Sequence, residues 1–171
     1  MDFFDIIKTR RSVRLYQDAP VEPEKLQAIL EAANIAPSAG NLQGYEIYLV
    51  TRLETRQALV KAALGQEFLA QAPVSLVFCA NPQRSSVKYS KRGRQLYSVQ
   101  DATIACTFAM LAATALGLST VWVGAFDDDW VREAAGLPAD LLPVALLPIG
   151  YAAENPAPRP RRRLQEIVHR E

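Results

Sequence analysis

The chain has 171 residues, half of them hydrophobic, and carries 19 basic against 18 acidic side chains. A domain of this length buries roughly 68–70% of the surface that its unfolded chain exposes, so neither a metal nor disulfides are needed for a stable core. The near balance of charge gives no reason to expect a nucleic acid or another polyanion as a partner.

The cysteines and the N-terminal segment bear on the cellular compartment. Cys79 and Cys106 lie far apart in apolar runs, which is typical of buried free thiols in a reducing compartment. The segment MDFFDIIKTRRSVR lacks the long apolar stretch and the cleavage site of a secretory signal. We therefore expect a cytoplasmic protein.

Helices and strands alternate irregularly in the first half of the chain. Apolar spacing and turn residues predict helices at 2–9, about 23–36 and about 53–64, and strands at 45–51 and 73–80. Pro37 ends the second helix, because the residue before a proline is disfavoured in the helical region. The loop PSAGNLQG then leads into the first strand.

The second half begins with a polar, basic segment at 81–95, which we expect to be a loop. After it, the pattern predicts a helix at about 96–117, a strand at 119–126, a helix from Asp127 to Ala135 with Asp127 as N-cap, and a strand within 143–151. Four core strands with about five helices predict an α+β architecture in one domain over 1–171. Residues 154–171, rich in Pro and Arg, are expected to form an extended C-terminal tail over the surface or a partner subunit.

Residues 103–126 carry no charge, so a membrane-spanning helix has to be considered. Against it, Gly117, Leu118 and Ser119 mark a helix stop in the middle, followed by β-branched and aromatic residues. A buried helix followed by a buried strand explains the stretch better. A helix that is apolar all round belongs in a large core or a subunit interface.

Two segments in the first quarter of the chain are candidates for binding. Arg10, Arg11, Ser12 and Arg14 could neutralise a phosphate dianion with charge-assisted hydrogen bonds. The alternative is a solvated basic helix end that contacts its own carbonyls. In PSAGNLQ, the Ser38 hydroxyl and the carboxamides of Asn41 and Gln43 could match the edge of a pyrimidine or flavin ring, or the segment is an ordinary turn.

Two further candidates lie in the second half. At Val123, Gly124 and Ala125 an apolar strand ends in a glycine, where a planar ring could lie against the backbone; the alternative is a plain strand end. The tail contains Arg159, Arg161, Arg162 and Arg163, interleaved with Pro158 and Pro160, and some of these arginines could return to a phosphate held by Arg10 and Ser12. A disordered basic tail is the alternative.

Several common catalytic devices are missing from the sequence. His169 is the one histidine, so a Ser-His-Asp triad and a multi-histidine metal site are not expected. Neither GxGxxG nor a P-loop occurs. We therefore expect no catalytic side chain and no metal ligands, with the chemistry carried by a bound cofactor.

Taken together, RRSVR, PSAGNLQ, WVGAFD and LLPIGYAAENPAPRPRRRL, in this order, resemble the nitroreductase family of FMN-dependent oxidoreductases. The resemblance spans nearly the whole chain. It implies a nitroreductase-like fold with a central, mostly antiparallel sheet flanked by helices, and an intertwined homodimer with FMN in the subunit interface. The uncharged helix around 103–117 would then be buried in that interface.

The resemblance also implies roles for the candidate residues. Arg10, Arg11 and Ser12 would hold the FMN phosphate, joined by Arg159 and Arg161 from the tail. Arg14 would face the ribityl or pyrimidine region, where its charge would favour the reduced, anionic flavin. Ser38, Asn41 and Gln43 would address the flavin from the other subunit, and Val123, Gly124 and Ala125 would run beside the ring.

The activity implied is transfer of hydride from NAD(P)H through FMN to nitroaromatic, quinone or similar electron-poor acceptors, by a ping-pong mechanism. Three alternatives stay open. The chain could be a specialised flavin enzyme of the same fold, dehalogenase-like or flavin-consuming. It could instead be a non-catalytic flavin or nucleotide carrier, or a nucleic-acid binder acting through its tail. Lys88, Tyr89, Lys91, Arg92 and Arg94 of the 81–95 segment could form a small mobile cover over the substrate face, or a solvated loop.

Overall fold

The strands of the central sheet run antiparallel to one another. The computed structural model describes residues 2–171, and within them the strands are β1 (Tyr45–Val50), β2 (Val74–Ala80), β3 (Ser119–Thr120) and β4 (Leu142–Gly150). Their order across the sheet is β1-β2-β4-β3, and each neighbouring pair is antiparallel. The predicted α+β class with a mostly antiparallel sheet is confirmed.

Seven α-helices surround the sheet in the described residues. They are α1 (Phe3–Thr9), α2 (Pro23–Asn34), α3 (Leu53–Ala62), α4 (Phe68–Gln71), α5 (Pro82–Arg92), α6 (Ser98–Ala115) and α7 (Asp128–Ala135). The predicted helices at 2–9, 23–36, 53–64 and 96–117 are confirmed to within about two residues at each end. Asp127 is the N-cap of α7, since its side chain accepts a hydrogen bond from the backbone N–H of Trp130 at 2.9 Å. The four-residue helix α4 was not predicted.

Successive side chains of the central strands point to opposite faces of the sheet, which divides the core into two layers. Leu76 and Phe78 of β2 face the layer that contains α2 and α6, whereas Val77 and Cys79 face the layer that contains α3, α4 and α7. All seven residues of β2 are buried. The sheet is therefore covered by helices on both faces.

The helix α6 is the central helix of one layer. It packs against α2, β2 and β4 and buries Ala102, Ala105, Cys106, Ala109 and Ala113. The stretch Pro82–Ala115 is long and apolar enough to cross a membrane by length and composition alone. However, the backbone departs from helical geometry at Ser90, and one side of α6 is covered by the sheet, so the structure favours the predicted core helix.

The prediction of a loop at 81–95 is wrong. The segment forms α5 and then one turn of π-helix, Gly93–Tyr97. Asn81 caps the helix by accepting a hydrogen bond from the N–H of Arg84 at 3.0 Å, and Pro82 occupies the first helical position, where its missing N–H costs nothing. A Cβ at Gly93 would overlap the Ser85 carbonyl, so glycine permits this turn to pack closely against α5.

The prediction of a strand over 119–126 is largely wrong. Only Ser119 and Thr120 form β3, and beyond them a single bridge joins Val123 to Leu146. The register that pairs Thr120 with Ile149 would set Val121 opposite Pro148. Because proline has no N–H to donate, the ladder is interrupted there.

An antiparallel pairing between the N-terminal segment and the residues after β4 brings the two ends of the chain together. Gln17 donates its backbone N–H to Tyr151 at 2.9 Å, Ala153 donates to Leu15 at 2.8 Å, and the N–H of Arg14 donates to the Glu154 carboxylate. We call residues 14–17 with 151–154 the terminal zipper. Beyond it the tail is exposed and contains one short 3₁₀ turn, Leu164–Glu166.

Candidate functional site

A cavity of about 370 Å³ opens between the end of α1 and the first part of the tail. Its walls come from both ends of the chain and consist of Ile7, Lys8, Arg10, Arg11, Ser12, Arg14, Pro156, Ala157, Pro158, Arg159 and Arg161. We call it the arginine cavity. It contains six of the twelve residues that the sequence singles out for cofactor binding.

The N-terminal wall of the arginine cavity is fixed by the sheet. Ser12 forms a parallel bridge with Thr120 of β3, and the N–H of Val13 donates to the Thr120 carbonyl at 3.1 Å. The side chain of Val13 is buried in the core. Because Val13 is anchored, Ser12 and Arg14 are held at the sheet edge next to the helix end that carries Arg10.

The tail arginines divide into two pairs. Arg159 and Arg161 line the arginine cavity, whereas Arg162 and Arg163 form ion pairs with Glu166 at 3.6 and 2.9 Å. The terminal zipper sets the start of the tail beside Arg14. Two of the four tail arginines therefore line the cavity, and the other two pair with Glu166.

The arginine cavity has an excess of positive charge. The pKa of Arg10 is lowered by burial and then by the nearby charges of Arg161 and Arg11. Within residues 2–171, no ion pair to a carboxylate involves Arg10, Arg159 or Arg161. Bringing like charges together in a half-buried cavity is unfavourable unless an anion joins them. The cavity is thus suited to a phosphate group.

Arg11 also serves its own helix. Its guanidinium donates to the carbonyls of Lys8 and Arg10, the latter at 2.9 Å. For Arg11, the structure thus shows the contact with the helix's own carbonyls that the sequence analysis gave as the alternative to phosphate binding. Arg161 makes two long contacts, each of 3.3 Å, with the carbonyls of Arg159 and Pro160. Arg10 and Arg161 are therefore better placed than Arg11 to turn towards an anion.

The loop 37–43 has an unusual backbone. Gly40, Asn41 and Gln43 have φ values of 57°, 56° and 46°, in the left-handed region that only glycine enters without strain. The Ser38 hydroxyl accepts a hydrogen bond from the N–H of Gln43 at 2.9 Å, and the two carboxamides join at 2.8 Å. One donor group of Asn41 and the carbonyl oxygen of Gln43 remain for another partner.

A buried carboxylate holds this loop in place. Asp101 of α6 is 2% exposed and accepts hydrogen bonds from the N–H groups of Ala39 and Gly44, at 2.9 and 3.2 Å. These two N–H groups flank the strained residues. Asp101 therefore fixes both ends of the loop and supports a backbone that would otherwise relax.

The loop 37–43 does not share a cavity with the arginines. Ser38 lines a second cavity of about 500 Å³ whose other walls are Pro37, Ala39, Tyr97, Val99, Gln100, Asp101, Thr103 and Ile104. Asn41 and Gln43 line neither of the two. The structure of one chain thus leaves the arginines and the loop as two separate groups.

The third group, Val123 to Ala125, lies where the chain leaves β3. Val123 is buried and bonded to Leu146, whereas Gly124 and Ala125 are exposed. A Cβ at Gly124 would meet only the indole of Trp122, with the indole nitrogen at 3.1 Å. The Ala125 carbonyl accepts a hydrogen bond from the Gln66 side chain at 3.1 Å. An open strip of backbone is therefore present at Gly124.

Three residues of these groups were not identified from the sequence. Asp101 was hidden in a helix that is otherwise apolar, although a lone acid there is itself a signal, since such a charge is buried only with partners. Gln66 and Glu154 carry no comparable signal. Their roles depend on contacts with residues 59 and 140 positions away in the chain.

The protein is of the α+β class, with a basic cavity built from both chain ends at the edge of an antiparallel sheet. The family model of the nitroreductase family matches residues 7–67 and 61–151. The chain belongs to the nitroreductase family.

Individual relatives agree with this membership. The chain is 34% identical to the FMN reductase [NAD(P)H] of Bacillus subtilis, over 98% of this chain and 74% of the relative. It is 32% identical to the oxygen-insensitive NADPH nitroreductase of Salmonella typhimurium, over 96% and 72%. The structure of the NADPH:FMN oxidoreductase from Vibrio harveyi complexed with NAD⁺ superimposes with a TM-score of 0.90 at 28% identity, over 98% of this chain and 76% of that one.

Proposed function

We propose that the chain is a single-domain FMN oxidoreductase that passes hydride from NAD(P)H to nitroaromatic, quinone or similar electron-poor acceptors in a ping-pong sequence. Its class, an NAD(P)H-dependent flavin oxidoreductase, follows from membership of the family. The proposal adds the cofactor, the residues that hold it and the order of the steps. The observation that carries it is the convergence of Arg10, Ser12 and Arg161 on one cavity.

The residues of the arginine cavity suit the phosphate end of FMN. A phosphate dianion would offset the burial and the nearby positive charges that together lower the pKa of Arg10. Arg10, Arg161 and the Ser12 hydroxyl would hold it, with Arg159 and Arg11 in support. The walls also include apolar Ile7, Pro156 and Pro158, against which the carbon chain that follows the phosphate could pack.

Arg14 and the strip Val123 to Ala125 would serve the ring end. Arg14 lies on the same wall as Arg10 and Ser12, so its charge can act on the part of the cofactor beyond the phosphate. Gly124 is exposed and lacks a side chain, which permits close approach of a planar ring. Gln66 would hold the strip in place through its hydrogen bond to Ala125.

Ser38, Asn41 and Gln43 would reach the same cofactor from a second subunit, which makes the working unit a homodimer. Support comes from the separation of this loop from the arginine cavity within one chain. It comes also from the large apolar side chains left exposed on α1 and α6, namely Phe3, Phe4, Ile7 and Phe108. Exposed apolar groups of this kind mark interaction surfaces. Sedimentation equilibrium should give twice the chain mass.

When bound, FMN would supply the two-electron chemistry that joins the donor to the acceptor. The chain's own residues bind and orient. All titratable residues that line the arginine cavity are basic, namely Lys8, Arg10, Arg11, Arg14, Arg159 and Arg161, and the one histidine, His169, lies in the exposed tail. The contribution of the arginine cavity is therefore placement and a positive electrostatic field.

A visible absorption spectrum and a donor oxidation assay test the proposal together. The purified protein, or protein reconstituted with FMN, should show flavin absorbance and should oxidise NADH or NADPH only when an acceptor is present. Colourless protein that takes up no FMN would contradict the cofactor assignment. Tight FMN binding without turnover across several donors and acceptors would instead indicate a carrier, and dehalogenated or fragmented-flavin products would indicate a specialised relative.

A further inference from the structure

The segment from Asn81 to Gln100 carries positive charge without any acidic residue. Its cations are Arg84, Lys88, Lys91, Arg92 and Arg94, and all five are exposed. Among the ion pairs of residues 2–171, none involves any of them. A solvated helix face usually alternates the two signs of charge. A surface that carries positive charge alone attracts an anion instead.

Part of this segment lies directly on the loop 37–43. A Cβ built at Gly40 would come within 2.6 Å of the Tyr89 hydroxyl and 3.0 Å of the Lys88 ammonium nitrogen. The ammonium group is therefore next to the loop that, in the proposed function, addresses the cofactor. Its distance to the centre of the Tyr89 ring is 5.5 Å, within the range of a cation–π contact.

The neighbouring side chains are ordered by one another. Tyr89 and Tyr97 meet edge to face, with ring centroids 5.0 Å apart. Arg92 lies 5.4 Å from the centroid of the Tyr97 ring and donates from Nε to the Tyr97 hydroxyl at 2.9 Å. We call Lys88, Tyr89, Arg92 and Tyr97 the α5 cationic surface. Its two cations are held by aromatic rings and are not neutralised by carboxylates.

We propose that the α5 cationic surface binds the diphosphate of the reduced nicotinamide dinucleotide. This inference rests on the proposed function, in which NAD(P)H passes hydride to the cofactor and the loop 37–43 reaches that cofactor. The diphosphate is the next charged group of the donor, and Lys88 is the cation that contacts that loop. The proposed function assigns the arginines of the arginine cavity to the cofactor phosphate. Lys88 and Arg92 are therefore the cations of the α5 cationic surface that can meet the diphosphate of the donor.

The decisive comparison uses two donors on the FMN-loaded protein. NADH carries the diphosphate, whereas 1-benzyl-1,4-dihydronicotinamide carries the nicotinamide ring alone. With a neutral quinone as acceptor, Lys88→Gln should raise the KM for NADH about two- to tenfold, as expected for one exposed charge contact. The KM for the benzyl donor should stay unchanged, and Lys88→Arg should restore most of the NADH value.

Lys61→Gln is the matched control, because Lys61 is an exposed lysine of α3, on the opposite face of the sheet. It should alter neither KM. A binding measurement without turnover completes the test: ADP-ribose, which has the diphosphate and no nicotinamide, should bind wild-type protein in calorimetry and bind Lys88→Gln more weakly by the same factor. This binding should weaken further with added salt.

Each contrary result has a distinct meaning. Equal losses for both donors would overturn the inference, because Lys88 would then act through the loop and not on the diphosphate. So would an unchanged KM for NADH, or ADP-ribose binding that does not depend on Lys88. Failure of the proposed function looks different: neither donor is oxidised by wild-type protein, and the ADP-ribose titration alone then decides the role of the surface.

Discussion

Arg10 and Arg161, at opposite ends of the chain, line one cavity, and the charge of Arg161 contributes to the lowered pKa of Arg10. The terminal zipper makes this meeting possible, because it fixes the start of the tail beside Arg14. In the absence of an anion the pair is a source of repulsion. Binding a phosphate would convert that repulsion into attraction, which couples the tail to the cofactor.

Removal of either arginine should weaken FMN binding. Arg10→Ala or Arg161→Ala loses one charge-assisted contact with the phosphate, which is worth about 1.5–3 kcal/mol, or roughly tenfold to a hundredfold in affinity. Fluorescence titration of apoprotein with FMN measures the change. Arg162→Ala is the control, since Arg162 pairs with Glu166 and does not line the cavity. Similar losses at all three positions would contradict the assignment.

Both cysteines should be inert in the native protein. Burial raises the pKa of Cys79 to about 12 and also raises that of Cys106, so the reactive thiolate is scarce at neutral pH. Ellman's reagent at pH 8 should detect almost no thiol in folded protein and two per chain in denaturant. Rapid reaction of one thiol under native conditions would show that its layer of the core opens.

The sequence was sufficient where local patterns decide the structure. The apolar run at 73–80 predicted the strand β2, which the structure shows to be buried on both faces, and Asp127 as an N-cap predicted the start of α7. The short helix α1 and its capping box are equally local. Such features depend on residues within four positions of one another.

Predictions from the sequence were wrong or missing where composition and local helix signals disagree, and where residues far apart in the chain determine the structure. Polarity favoured a loop at 81–95, although Asn81 followed by Pro82 is a local helix-start signal that should have outweighed it. The end of β3 depends on Pro148, which lies opposite Val121 only after the sheet has formed. The role of Asp101 likewise needs α6 to pack against the loop 37–43.

Acid should weaken the contact between the start of α2 and the end of β4. Hydrogen bonds from its own backbone N–H, then from Tyr151 and Lys25, lower the pKa of Glu22 from 4.5 to about 2. A folded-state pKa below the unfolded value stabilises the fold above pH 4.5, and this contribution is lost as the pH falls from 4.5 towards 2. Urea unfolding between pH 6 and pH 3 should show the decline.

Glu22→Gln isolates this contribution, because glutamine keeps the shape and cannot titrate. The variant should be less stable than the wild type at pH 6, and the difference should narrow towards pH 3. Glu24→Gln is the control, because Glu24 is an exposed acid in the first turn of the same helix. This variant should still lose stability between pH 6 and pH 3 as the wild type does. A constant difference across the range would show that Glu22 contributes through packing and not through its charge.

Asp101 should matter for the loop 37–43 more than for any other part of the fold. Asp101→Asn keeps one acceptor oxygen but turns an NH₂ group towards a backbone N–H, so one of the bonds to Ala39 and Gly44 is lost. The unfolding free energy should fall by about 1–3 kcal/mol, the cost of a buried donor left without its partner. Hydrogen exchange at residues 39–44 should accelerate, since the left-handed backbone there loses its support.

The control for this prediction is Asp18→Asn, because Asp18 is exposed; it should change neither stability nor exchange by a comparable amount. Faster exchange spread evenly over α6 and the sheet would mean that Asp101 supports the core as a whole, whereas a change confined to the loop would identify Asp101 as the residue that holds the loop in its left-handed conformation.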